Sequence, residues 1–263
     1  MNFIRLVLAF VFLSLLVRIN YHQFFPAGFS FESWMWLLLS GLVGFVIGDL
    51  MLFQAFVVVG ARISMLMMSL APVFAGLFGW MILGEKLTLY NVLGILVTLA
   101  GIALVILNRP SGHKVKMMNY PVKGILLALG GALGQGLGLV LSKLGMGDQD
   151  AFMATQIRVI AGIIGFTFMF TLSGHWRNVM SALKNKVAMT GISIGAFFGP
   201  FLGVSLSLLS IKYTTTAIAS TLMAIVPVLI IPPAVLLFRE KVSVKEVVGA
   251  VVAVGGVVIL FLT

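Results

Sequence analysis

Cysteine is absent from the chain, which excludes disulfides, thiolate metal sites and cysteine nucleophiles and leaves the redox compartment unreadable. Charge is nearly as scarce: Asp, Glu, Lys and Arg together make up 9% of 263 residues. No polar stretch exceeds about fifteen residues, so a soluble surface could not be covered and no separate soluble domain fits between the apolar runs. Acidic residues number seven and histidines three. His22, His113 and His175 all fall in expected loops and make poor metal ligands, so no cofactor is expected. The 17 Lys and Arg give a formal net charge of +10, but they stand singly or in small groups between apolar spans. That is the pattern of short membrane loops, not of a nucleic-acid surface.

What the chain has is apolar length. With 61% hydrophobic residues and a mean hydropathy of +1.18, it reads as an all-α polytopic membrane protein. A span needs about 20 apolar residues to cross roughly 30 Å of hydrocarbon. On that criterion about nine helices fall near 3–19, 34–58, 61–84, 88–108, 121–144, 152–173, 187–211, 214–238 and 243–262. The first opens with Arg5 and an apolar run, as a signal peptide does. It has no small-residue cleavage site and bulky "NYHQFF" follows it, so it is expected to remain a span.

The halves repeat. Setting residue n against n+155 pairs Gly44 with Gly199, Gly48 with Gly203, Pro72 with Pro227, Glu85-Lys86 with Glu240-Lys241, Gly94 with Gly249 and Gly101 with Gly256. Glycines alone would be weak support in apolar helices; prolines and charged turns coinciding at one offset are much stronger. Upstream, "FIRLVLAFVF" resembles "QIRVIAGIIG" and pairs Arg5 with Arg158 at a slightly different offset. The expected organisation is a first repeat over 1–110 with four helices and a second over 121–263 with five, in one integral membrane unit. Units of five spans enter the membrane from opposite sides, which makes the repeats inverted and places a binding site near the midplane between them.

The stretch "SLAPVFAGLFGWMILGEKLT" with "VLGILVTLAGIALVIL", and its partner "AIVPVLIIPPAVLLFREKVS" with "VVGAVVAVGGVVIL", resemble the paired EamA repeats of the drug/metabolite transporter superfamily. The resemblance implies two inverted fives of helices and transport of small metabolites, amino acids or drugs, often outward. The first of the ten helices has no counterpart in this sequence, which leaves open an upstream start, a truncated transporter fragment or a nine-helix protein. The family's ten-helix members commonly keep both ends inside. Charge points elsewhere: the side of the N-terminus holds twelve of the seventeen cations, Arg5, Arg62, Arg109, Lys114, Lys116, Lys123, Arg177, Lys184, Lys186, Arg239, Lys241 and Lys245. Positive-inside then sets the N-terminus in the cytoplasm of a bacterial-type inner membrane and the C-terminus outside.

Individual residues carry the functional expectation. Asp49, in "VIGDLML", is the one carboxylate in an apolar run from Trp34 to Val59. At that depth an ionised group costs roughly 3 kcal/mol or more unless paired, hydrated or protonated. It is expected to face the bundle interior as a substrate contact or proton-coupling group, or else as a neutral packing hydrogen bond. Gln135, midway along 121–144, has a matching depth. Pro72 and Pro227 each leave a helical carbonyl without its donor, as in helices that line cavities or as a plain helix kink, and the resemblance implies that these two helices border the central cavity. Ser69 and Thr221, on the same helices, either contact substrate or bond back to their own helix. Arg158 is expected near a helix start, where it either snorkels or meets substrate. The glycine-rich "GGALGQGLG" lacks a phosphate-loop spacing and reads as close helix packing.

The function expected is a secondary transporter, an exporter by alternating access, with a small-molecule substrate, the lipid bilayer and protons as partners and with room for a homodimer. An intramembrane enzyme fits poorly, because Asp49 is the only membrane carboxylate, the histidines lie in loops and H-E-x-x-H is absent. A non-transporting membrane scaffold is the other alternative.

Overall fold

The computed structural model describes residues 2–108, 121–174, 176–229, 232 and 243–260, without the side chains of Arg62, Arg177, Asn178, Lys184 and Pro227. Among these residues every regular element is helical. In chain order they are α1 Asn2–Tyr21, α2 Phe31–Gly41, α3 Asp49–Met68, α4 Ala71–Leu83, α5 Leu89–Asn108, α6 Val122–Met146, α7 Ala151–Ser173, α8 Trp176–Lys184, α9 Lys186–Ala196, α10 Val204–Tyr213, α11 Thr216–Ala224, α12 Val226–Leu229 and α13 Val244–Leu260. Two π-helical segments join α2 to α3 (Leu42–Gly48) and α9 to α10 (Phe197–Gly203). Each contains two of the repeat glycines, and Pro200 inside the second cannot donate to an ordinary helical ladder.

Seven helical stretches of the described residues are long and apolar enough to cross a membrane: Asn2–Tyr21, Phe31–Ala61, Ile63–Leu83, Leu89–Leu107, Val122–Met146, Ala151–Ser173 and Lys186–Tyr213. They coincide with the first seven of the nine expected spans. The last two, 214–238 and 243–262, fall partly outside the described residues and are represented by α11 with α12 and by the 17-residue α13. The chain reverses between the second and third spans at Gly60, whose φ of 79° suits a residue without Cβ.

The chain forms two compact units, and each draws on both repeats. The first comprises Met1–Ile47 and Gly138–Tyr213. Here Leu6 lies against Gly162 and Ser14 accepts a hydrogen bond from Gln156, so α1 and its repeat counterpart α7 run antiparallel. Ala9, Leu13 and Val17 of α1 and Ala154, Ile157 and Phe166 of α7 are buried. Ser40 donates to the carbonyl of Gly138 at 2.9 Å and shares a 2.6 Å hydrogen bond with Ser142, tying α2 to the end of α6.

The second unit comprises Gly48–Leu137 and Thr214–Thr263. Its core gathers Ala55, Ile63, Ile102, Ala128, Val228 and Ala253. The glycine pattern explains why α5 and α13 pack so closely. A Cβ on Gly101 would stand 2.7 Å from Ala253 Cα and from Gly249 O, and one on Gly94 would stand 3.0 Å from Gly256 O. Each repeat glycine thus meets the counterpart of the other, and the pairing of 94 with 256 and 101 with 249 makes the two helices antiparallel, the direction that inversion requires of them.

Candidate functional site

Asp49 opens α3 directly after the first π segment, half-buried within the second unit. Gln135, at the middle of the long α6, donates from Nε2 to Asp49 Oδ1 at 3.0 Å. Small residues allow this approach. A Cβ on Gly130 would run into the Met51 side chain, and one on Gly131 would stand 3.2 Å from Leu52 Cβ, so the backbone of α6 lies close against α3 just where two short polar side chains must meet. The amide N–H of Gln135 thus satisfies one oxygen of a carboxylate that stands among apolar helices.

The seam between α3 and α6 continues from this pair into a groove of about 420 Å³ lined by Leu50, Phe53, Gln54, Val57, Val58, Lys123 and Leu127. Phe53 and Val57 follow Asp49 at four-residue steps, and Leu127 and Lys123 lie two and three such steps before Gln135, so pair and groove share one interhelical face. Asp49 and Gln135 are not in the groove's lining, which Leu50, the neighbour of Asp49, and Lys123 both join.

The remaining expected residues are distributed differently. Ser69 is buried at the end of α3 and donates to Leu66 O at 2.6 Å. Thr221 is buried in α11 and donates to Ala217 O at 2.8 Å. Both hydroxyls therefore bond back to their own helices. Pro72 lies in the first turn of α4, buried, just after a break at Ser69 and Leu70. It starts a new helix there instead of kinking one continuous helix, because a first-turn proline removes no helical bond. Ile225 marks the same break 155 residues on, between α11 and α12. Pro227 is the second residue of the short α12, and its side chain lies outside the described residues. Arg158 does not snorkel: α7 starts at Ala151, which puts the arginine two turns inside, only 4% exposed, with its Cζ 5.0 Å from the Phe45 ring centroid. It stands in the first unit, whereas Asp49 and Gln135 stand in the second.

The comparisons agree with this architecture. A family model described as the EamA-like transporter family matches residues 1–107 and 122–262. The chain belongs to the EamA-like transporter family. An "Uncharacterized transporter YvbV" of Bacillus subtilis (strain 168) is 32% identical over 113 residues, 43% of this chain and 34% of that protein. An "Uncharacterized transporter" of Clostridium kluyveri is 25% identical over 229 residues, 85% of this chain and 71% of that one. A solved crystal structure superposes with a TM-score of 0.70 at 17% identity, over 99% of this chain and 88% of the other, and so shares the fold. The protein is accordingly an integral membrane protein of the EamA-like transporter family, and its alignment spans about a third of the Bacillus subtilis relative.

Two polar arrangements in this EamA chain go beyond the sequence reading, which expects Glu85-Lys86 only to end a helix at the surface with cap and turn contacts and assigns Gln156 no role. Glu85, from the turn between α4 and α5, accepts hydrogen bonds from Thr216 N at 2.9 Å and from Thr216 Oγ1 at 2.7 Å. The "EK" turn thus carries an acid that caps the start of α11, satisfying donors that a helix end leaves free. Its repeat counterpart, Glu240-Lys241, lies outside the described residues. Gln156 is fully buried and donates to Ser14 Oγ at 2.9 Å and to Phe24 O at 2.8 Å. A lone glutamine in an apolar run was the available signal for it.

Proposed function

We propose that this EamA-family member is a secondary transporter of the bacterial-type inner membrane. It exports a small metabolite, amino acid or drug-like solute by alternating access, with protons as the coupling ion. The observation that carries the reading is the Asp49–Gln135 hydrogen bond at 3.0 Å, a protonatable carboxylate held at middle depth in apolar helices where such a group is otherwise expensive. Duplicated repeats whose counterpart helices run antiparallel supply the symmetry on which rocking-type exchange depends. In this scheme Asp49 alternates between ionised and protonated states, and Gln135 holds the ionised carboxylate in place. The groove on the same α3–α6 seam, lined from Leu50 to Lys123, offers an apolar or amphipathic solute a path.

The test is reconstitution of the purified protein into liposomes with an imposed pH gradient. Labelled amino acids and a fluorescent amphipathic amine serve as probes. Protein-dependent flux that collapses with the gradient is expected. Flux indistinguishable from empty liposomes across the whole panel, with correctly inserted protein, would count against transport of these solute classes and in favour of a scaffold.

A further inference from the structure

The two π-helical segments, Leu42–Gly48 and Phe197–Gly203, are displaced by the offset at which the sequence itself repeats. Each is met by an arginine from the other repeat. Arg5, in α1, donates from Nη2 to Gly195 O at 3.3 Å, and a Cβ on Gly199 would stand 2.6 Å from that same nitrogen. Arg158, in α7, lies with its Cζ 5.0 Å from the Phe45 ring centroid, and a Cβ on Gly44 would stand 3.3 Å from its Nη2. Gly44 and Gly199 are repeat counterparts, and Arg5 and Arg158 were aligned by the sequence as counterparts too. All four contacts lie within the first unit. The arrangement is therefore a crossed pair: an arginine of the first repeat on the π segment of the second, and the reverse.

The chemistry suits a brace. A π segment changes the hydrogen-bond register of its helix and tends to occur where helices rearrange. A guanidinium has donors in a fixed plane and also packs on an aromatic face, an attraction that desolvation strengthens. The two glycines leave room for it: for both, the guanidinium is the nearest group a Cβ would meet. Burying such a group in apolar helices is expensive, so the duplicated placement is unlike that of an incidental side chain.

We propose that Arg5 and Arg158 are positioning residues for transport, each bracing the π segment of the opposite repeat so that the two breaks flex as matched hinges. The purpose of the flexing rests on the transport reading; the brace itself does not.

Amide hydrogen exchange on the full chain, with liposome flux measured beside it, tests both parts. Arg158→Gln should speed exchange in 42–48 about tenfold and leave 197–203 unchanged, and Arg5→Gln should do the reverse, as expected for losing contacts to a charged group. Gly44→Ala and Gly199→Ala displace only a flexible side-chain end, so they keep the fold and should reproduce the respective patterns with both arginines intact. Each variant should lower the maximal flux severalfold with little change in the half-saturating solute concentration, and Arg→Lys should restore part of it. Exchange that is unchanged, or that rises equally in both segments, overturns the brace. A crossed exchange pattern with wild-type flux overturns the positioning role. A crossed pattern in a protein that moves no solute at all supports the brace and removes the transport reading instead.

Discussion

A carboxylate among apolar helices persists only where a neighbour donates to it or a proton neutralises it, and at Asp49 the donor is Gln135. Asp49 was legible because it interrupts a long apolar run, and Gln135 because its depth matched. The hydroxyls were not: nothing local distinguishes a Ser69 or Thr221 that faces a solute from one that bonds to Leu66 O or Ala217 O. Arg158 was misplaced for a related reason, since an arginine two turns from a helix start has the reach to snorkel and only the tertiary contact with Phe45 shows that it stays inside. Glu85 bonds to Thr216, 131 positions away in the chain, a distance across which one sequence carries no pairing signal. That contact also explains Gly79, where a Cβ would stand 2.5 Å from both Glu85 Oε2 and Thr216 Oγ1. Gly79→Ala is expected to lose about 1–3 kcal/mol through forced displacement of the capping carboxylate, read as a lower thermal midpoint in detergent. A midpoint equal to that of the unaltered protein would mean that the cap contributes little.

The helices themselves were largely evident, since apolar length and loop charges place seven spans near where they stand. Irregularities inside them were not. The π segments depend on glycine and proline in a packed setting, and the break at Ser69 and Leu70 turns one expected span into two helices, α3 and α4. The stretch before α9 looked like a loop, yet Trp176–Lys184 forms the helix α8, with Val179 buried beside Ile4 and Ile192 and with Trp176 edge-on to Phe3. Nine residues are too few for a span, and the interspersed polar residues Arg177, Asn178, Ser181 and Lys184 hide an apolar face that lies along the protein. The glycine seam of α5 and α13 was visible as a repeat but not as a contact. Gly101→Ala would press a methyl onto the Ala253 backbone and should cost about 1–3 kcal/mol in a denaturant titration. Gly255→Ala on α13, where a Cβ meets nothing within 4 Å, should be neutral or stabilising by up to about 1 kcal/mol. Equal effects at the two positions would show that close packing is not what the seam glycines provide.

For the molecule as a whole, the repeat at offset 155 was the most informative feature of the sequence, and it reappears in the paired π segments, the paired breaks at Leu70 and Ile225, and the antiparallel course of α5 and α13. That each compact unit draws on both repeats could not be read, because the alignment of halves says nothing about which helices pack together. The charge distribution predicts an orientation. With twelve of seventeen cations on the side of the N-terminus, a reporter fused after Thr263 should be active only outside the inner membrane, and activity in the cytoplasm from full-length protein would reverse that assignment. The central claim, that Asp49 is a working carboxylate in a transporter, is tested most directly by proton-driven flux of the Asp49→Asn protein in liposomes across a range of pH. Asparagine keeps the shape and a hydrogen bond to Gln135 while removing the ionisable group. The account predicts normal insertion with loss of most flux or of its pH dependence. Wild-type flux with wild-type pH dependence, at equal protein level, would contradict it and leave Asp49 a structural hydrogen bond.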